Sequence, residues 1–166
     1  MTTETIASTE LMSKLIEILE DATKETAESA LCLETAERIQ LREKMRPDWH
    51  GAFISLSGDE MQLQMGIASD EKGCQAIAGA LMMLEPDDDP LPDDDLADAF
   101  GEVANLLLGF AKTRIIEDGL DDNLIMGTPL HMIGQFRPLN GQDLICSDYK
   151  LGETTVQLTV IYAPKN

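Results

Sequence analysis

The sequence predicts an α+β fold: a mostly antiparallel sheet packed with long helices. Three observations predict it. Segments of helical and of strand periodicity run in the order helix, strands, helix, helix, strands, not in strict βαβ alternation. The strand-type runs lie close together and are joined by turn residues, as antiparallel pairs are. Hydrophobic residues make up 43% of the 166-residue chain, enough for one core. With only four Phe, two Tyr and one Trp, that core is aliphatic, and nine Met can fill its gaps.

The elements follow in order. From Thr9 to about Ser29, Leu11, Leu15, Ile18, Leu19 and Ala22 recur at helical spacing with charged residues between them, which predicts an amphipathic helix. Residues 31–41 show partial alternation and are read in part as a strand, with a continued helix as the alternative. Arg46-Pro47-Asp48 breaks the pattern. Ala52–Leu56 and Met61–Ala68 flank the turn Ser57-Gly58-Asp59, predicting a hairpin with one wet face. Asp70 is placed to cap a helix that runs to about Leu84. A loop with three prolines and six aspartates spans residues 86–95, its last carboxylates capping a long helix from about Asp94 to Glu117. A short strand is expected around Leu130, Met132 and Ile133. Two more, Asp143–Asp148 and Thr154–Tyr162, flank a turn at Lys150-Leu151-Gly152. No repeat, linker or boundary interrupts this order, so residues 1–166 are read as a single domain.

Composition excludes several classes. Thirty-one acidic against 12 basic residues give a formal net charge of −19, which repels phosphate backbones and anionic membranes; neither nucleic acid nor membrane is an expected partner. No apolar run approaches the roughly 20 residues of a transmembrane span, and the N-terminus lacks the features of a signal peptide. Cys32, Cys74 and Cys146 are odd in number and widely spaced, so free thiols in the cytoplasm are expected. His50 and His131 have no Cys or His at ligand spacing, and the aspartate runs lack the EF-hand pattern, so no metal site is expected. Phosphate-binding glycine loops and the esterase elbow are missing. Cys74 lies near a helix start, where a thiolate would be stabilised, but a buried thiol is the commoner outcome.

The informative segment is DLADAFGEVANLLLGFAKTRI. On a wheel with Asp98 at 0° and about 100° per residue, Leu96, Ala99, Phe100, Val103, Leu106, Leu107 and Phe110 form a core stripe between roughly 80° and 200°. Asp98, Glu102, Asn105 and Gly109 fall within about 40° of 0°, so two acids and an amide form a row pointing away from the core. Gly109 leaves one end of that row open to close approach. Spacing alone also fits an ordinary solvated face.

Asp98-x-x-x-Glu102-x-x-Asn105 resembles the D/S-x3-E-x2-N signature of the CheC/CheX/FliY phosphatases of bacterial chemotaxis. The run from Ala99 to Thr113, with its G-x-A-K-T ending, is similar to the helix of that family. Gly127-Thr128-Pro129 to Gly134 resembles the segment that follows in CheX. No second E-x-x-N follows residue 115 or lies in the helix at 71–84, so the resemblance is to the CheX branch, with one motif rather than the two of CheC.

The resemblance implies a CheX-like domain that hydrolyses the aspartyl phosphate of a CheY-like receiver. Asn105 would position the water and Glu102 would pair with a receiver lysine, while Asp98, Gly109 and Lys112 would contact the partner. The chain would need no cofactor of its own, since the Mg²⁺ would belong to the receiver. It also implies a homodimer, and the apolar, alternating final strands could extend a sheet across a subunit boundary. The charge of −19 slows encounter with an acidic receiver site, and Lys112 and Arg114 are expected to supply local positive charge. Two alternatives are a receiver-binding or switch adaptor without catalysis, and a structural homodimer with no receiver partner.

Overall fold

The computed structural model describes residues 3–165. Helix α1 spans Thr3–Thr26 and continues as a π-helical segment, Ala27–Leu31. Of the ambiguous stretch 31–41 this extension takes in only Leu31, and the strand reading holds from Ala36 on. Cys32 ends the extension in a left-handed conformation (φ 52°), and strand β1 covers only Ala36–Arg42. Strands β2 (His50–Ser57) and β3 (Met61–Ser69) form the predicted hairpin, in unbroken register from His50↔Ser69 to Ser57↔Gln62. Helix α2, Glu71–Leu81, is capped by Asp70, whose side chain accepts the Gly73 N–H at 2.6 Å. Helix α3 runs over Asp93–Glu117. Strands β4 (Ile125–Met126), β5 (Leu130–Ile133), β6 (Asp143–Leu151) and β7 (Thr154–Pro164) complete the fold. The two-residue β4 is too short to show a period in the sequence.

The sheet is antiparallel throughout, in the order β1-β6-β7-β3-β2-β4, with β5 also pairing with β2 on the β4 side. Strands β6 and β7 therefore lie inside the sheet. The final strands cannot extend it across a subunit boundary; only β1 and the β4/β5 side offer free edges.

All three helices pack on one face. Leu15, Ile16 and Leu19 of α1, Ile77 of α2 and Val103, Leu107 and Leu108 of α3 interdigitate with Ile54, Met65, Leu158 and Val160 of the sheet. Glu20 ties α1 to this sheet: Arg38 donates to both its oxygens at 2.7 and 2.9 Å, and Ser147 donates at 2.6 Å.

The expectation of one wet hairpin face holds only near the turn, where Ser55 and Gln62 are exposed. Phe53 points to the face opposite the helices and is 1% exposed. It is covered by Met45, Trp49 and Phe136, the last in an edge-to-face contact at 5.0 Å between centroids. Beside this cluster, Asp148 is buried and accepts from Arg42, Arg46, Gln40 and Gln157. Irregular segments thus cover a face whose strand pattern is half polar, and no period in those segments signals it.

Asp121 holds the hairpin turn from outside. Its carboxylate accepts backbone N–H groups from Asp59, Glu60, Met61 and Asn123 at 2.9–3.2 Å. Burial alone would raise its pKa, but these donors outweigh that and hold it below the usual carboxylate value. The Asp148 carboxyl is likewise lowered, burial being outweighed there by its arginine and glutamine donors. A lowered folded-state pKa gives stability that is present above the unfolded value of about 3.9 and lost as pH falls through the folded value. Urea unfolding is therefore expected to give stability that is level above about pH 5 and declines below about pH 4. Asp121→Asn, which leaves one oxygen for four donors, is expected to cost about 1–3 kcal/mol at neutral pH and to flatten the acid limb. A neutral-pH stability equal to wild type would refute this role.

Candidate functional site

Helix α3 is enclosed on most of its circumference. Besides the predicted stripe, Gly101, Ala104, Leu108, Ala111 and Ile115 are buried, so the core side is wider than the wheel predicted. Leu106 and Phe110, placed in the stripe by the wheel, are only half-buried at its margin. Helices α1 and α2 and strands β2 and β5 pack around α3. What remains open is a strip along the row itself.

The structure brings Asp98, Glu102, Asn105, Gly109 and Lys112 together on that strip. Asp98 and Glu102 are exposed, whereas Asn105, Gly109 and Lys112 are half-buried. The helical rise separates Asp98 from Asn105 by about 10 Å. The Asn105 amide donates to Glu102 Oε2 over a long 3.4 Å, which leaves its carbonyl oxygen and most of its donor capacity open. Glu102 is thus preset beside the amide but unclaimed by any cation among the described residues.

At Gly109 an added Cβ would meet nothing within 4 Å, so the gap is open space and not a packing requirement. Glycine inside a helix costs about 1 kcal/mol relative to alanine, and here nothing in the fold compensates. Gly109→Ala is accordingly expected to raise stability by up to about 1 kcal/mol while weakening any partner that closes on the strip. Thermal unfolding checks it; a variant no more stable than wild type would contradict it.

The two expected cations part company. Arg114 donates to Glu25 at 3.0 Å and lies 3.9 Å from Asp21, so it braces α3 against α1 and supplies no charge to the row. Its wheel position, about 160° from Asp98, already placed it off the strip. Lys112 forms no ion pair among the described residues and ends the row with a positive charge.

The acidic loop is exposed, and Gln75 fastens its end by accepting from Leu91 N–H and donating to Leu91 carbonyl, both at 2.9 Å. Its last carboxylates do not cap α3: Pro92 is the N-cap residue and no side chain caps. Asp93, Asp94 and Asp95 sit instead in the first turn, favourable to the helix dipole. Cys74 is buried and its thiol is pushed up to about 12, chiefly by burial, so it is no nucleophile. Among the described residues, no group of three or more His, Cys, Asp or Glu is arranged to hold a metal ion, and no helix is long and apolar enough to cross a membrane.

The sequence points to no role for His131 beyond that of a metal ligand, which its spacing argues against. In the structure it lies against α3: a Cβ built on Gly101 would stand 2.9 Å from its Nε2 and 3.0 Å from its Cε1. The signal that could have found it is Gly101 itself, a glycine in mid-helix beside the motif, which marks a close approach.

Comparison with known proteins follows the same lines. The model of the family described as chemotaxis phosphatase CheX matches residues 50–140, more than half of the chain. Among solved structures, the chain is similar to the chemotaxis protein CheX from Vibrio vulnificus, with 18% identity, 90% of this chain and 99% of that one covered, and a TM-score of 0.73. It is also similar to CheX in the CheX–CheY–BeF3–Mg²⁺ complex from Borrelia burgdorferi, with 19% identity, 91% and 97% covered, and a TM-score of 0.68. FliY from Thermotoga maritima gives 15% identity, 97% and 90% covered, and a TM-score of 0.70. At these identities the structural likeness shows the fold alone. No curated protein sequence matches.

Proposed function

Because this chain belongs to the chemotaxis phosphatase CheX family, we propose that it hydrolyses the aspartyl phosphate of a CheY-like receiver domain, with Asn105 holding the attacking water. The observation that carries this reading is the strip of Asp98, Glu102 and Asn105, left open to solvent on a helix packed around most of its circumference. An acyl phosphate is already activated. Water attacks phosphorus in line, the P–O bond to the receiver carboxylate breaks, the carboxylate leaves with the electron pair, and the water's protons stay with the phosphate. No nucleophile or base on this chain is consumed.

What such a step lacks in the free receiver is an oriented water. The Asn105 amide can accept from and donate to that water without bringing negative charge against the phosphoryl oxygens. Glu102 pairs with a receiver lysine and sets the distance of Asn105 from phosphorus; one helical turn, about 5 Å, separates the anchor from the amide. Asp98 contacts the receiver further out. Lys112 offsets part of the repulsion between two acidic surfaces, and open space at Gly109 admits the partner backbone. The Mg²⁺ belongs to the receiver, and the meeting takes place in the cytoplasm. The solved complex from Borrelia burgdorferi, in which a CheX is bound to CheY with BeF3 and Mg²⁺, supports this choice of partner. The experiment that tests the reading is phosphate release from a phosphorylated receiver with wild type and with Asn105→Ala.

The same reading includes a homodimer. Ile125, Leu130 and Ile133 stand exposed along the β4/β5 edge, where a second copy would remove them from water. Sedimentation equilibrium is expected to give a dimer mass for wild type and a monomer mass for Ile133→Asp; a monomeric wild type would contradict it.

A further inference from the structure

The strip on α3 has a neighbour from another element. Strand β5 pairs with β2 so that His131 stands opposite Ala52. Ala52 belongs to the core under the helices, so His131 projects from the same face, toward α3. There it meets Gly101, whose missing side chain makes the room: Nε2 of His131 stands 2.9 Å from the Cβ that any other residue would carry, and Pro129 Cβ stands at 3.6 Å.

Gly101 lies three residues after Asp98 and four before Asn105. On a helix those are surface neighbours, about 5–6 Å apart at Cβ. The imidazole therefore borders the row at the level between its outer acid and its amide. It also forms one wall of a cleft of about 540 Å³, lined with Leu96, Ala97, Phe100, His50 and Ile133, between β5 and the first half of α3.

The imidazole is free to act. It is exposed, and neither ring nitrogen has a hydrogen bond or ion pair among the described residues. Its backbone is held firmly. Pairing with β2 runs from His50↔Ile133 to Phe53↔Leu130, Gly127 N–H donates to Ser55 carbonyl at 2.8 Å, and Gly134 N–H donates to Trp49 carbonyl at 3.1 Å. A partner that covers Asp98 and Asn105 also covers this ring, and a buried imidazole with both nitrogens unmet would be costly.

We propose that His131 is a specificity-determining contact of the docked receiver: its unpaired imidazole hydrogen-bonds the partner at the rim of the phosphorylation site, on the flank of Asn105. The inference rests on the receiver-phosphatase reading. It adds a second element, β5, to a site otherwise built on one helix. Its contribution is to affinity and orientation of the partner, and Asn105 alone handles the water.

The test titrates a receiver loaded with beryllofluoride and Mg²⁺, which requires no turnover, against wild type, His131→Leu and His131→Gln, with melting temperatures alongside. His131→Leu keeps bulk over Gly101 but has no hydrogen-bonding atom, whereas His131→Gln retains a terminal donor and acceptor. His131→Leu is expected to weaken binding by roughly tenfold, the loss of one hydrogen bond on a desolvated group, with an unchanged melting temperature. His131→Gln is expected to recover most of that loss. In turnover, KM rises for His131→Leu and kcat stays within about twofold. Binding by His131→Leu equal to wild type overturns the proposal, and so does a His131→Gln as weak as His131→Leu, which would make the ring's shape the cause. A wild type that binds but does not hydrolyse refutes the phosphatase reading and leaves the His131 titration decisive on its own.

Discussion

Asn105→Ala is expected to lower the acceleration of receiver dephosphorylation by about 100-fold or more while leaving receiver affinity within a few-fold of wild type. The large effect follows from the role. A water released from its amide partner samples orientations that are not in line, and geometric misplacement of about 1 Å is already worth that factor. The small effect on affinity follows because the proposed anchor is Glu102, one turn away. Folding cannot confuse the result. Asn105 is only half-buried, its one side-chain hydrogen bond is long at 3.4 Å, and alanine is the better helix former. A variant with full activity would remove Asn105 from the chemistry. A variant that no longer binds would make it an anchor and not a water-positioning residue.

Glu102→Ala has the opposite signature. Its carboxylate is exposed in the free protein; in the proposed complex it is desolvated against a receiver lysine, so its loss would leave that lysine unpaired in the interface. Removing one member of such a pair typically costs 2–5 kcal/mol, so affinity is expected to fall by about 30-fold or more. The residual rate at saturating protein is expected to stay closer to wild type than the affinity does. Glu102→Gln, which keeps shape and loses charge, is expected to fall between. Stopped-flow binding of beryllofluoride-loaded receiver gives the affinity, and phosphate release at saturating protein gives the rate; affinity unchanged in Glu102→Ala would contradict the anchoring role. Together the two variants split catalysis from docking along one helical turn.

Much of this was legible in the residues, for physical reasons that differ by element. Helix α3 was read nearly to its ends because a 25-residue amphipathic stripe leaves little ambiguity, and the Asp70 cap because its carboxylate precedes a helical run by one residue. The row at Asp98, Glu102 and Asn105 follows from helical geometry once the helix is granted. What escaped depends on tertiary contact. The π-helical segment at Ala27–Leu31 has no distinctive composition, so the boundary with β1 stayed ambiguous. Phe53 is covered from irregular segments, by Met45 just upstream and by Phe136 distant in sequence, which turns part of an expected wet face into a second small core. Strands β6 and β7 alternate as well as any edge strand does, yet their neighbours on both sides put them inside the sheet. Arg114 follows the motif and so reads as local charge on the row, yet its partners Glu25 and Asp21 come from α1.

The most direct measurement of the central claim is the rate of phosphate release from a phosphorylated receiver of the same cell as this protein is titrated in. The account predicts acceleration that saturates with added protein and that Asn105→Ala abolishes although it still binds. Receivers that demonstrably bind the wild type, yet release phosphate no faster in its presence, would contradict the account and leave the strip of Asp98, Glu102 and Asn105 as a docking surface without catalysis.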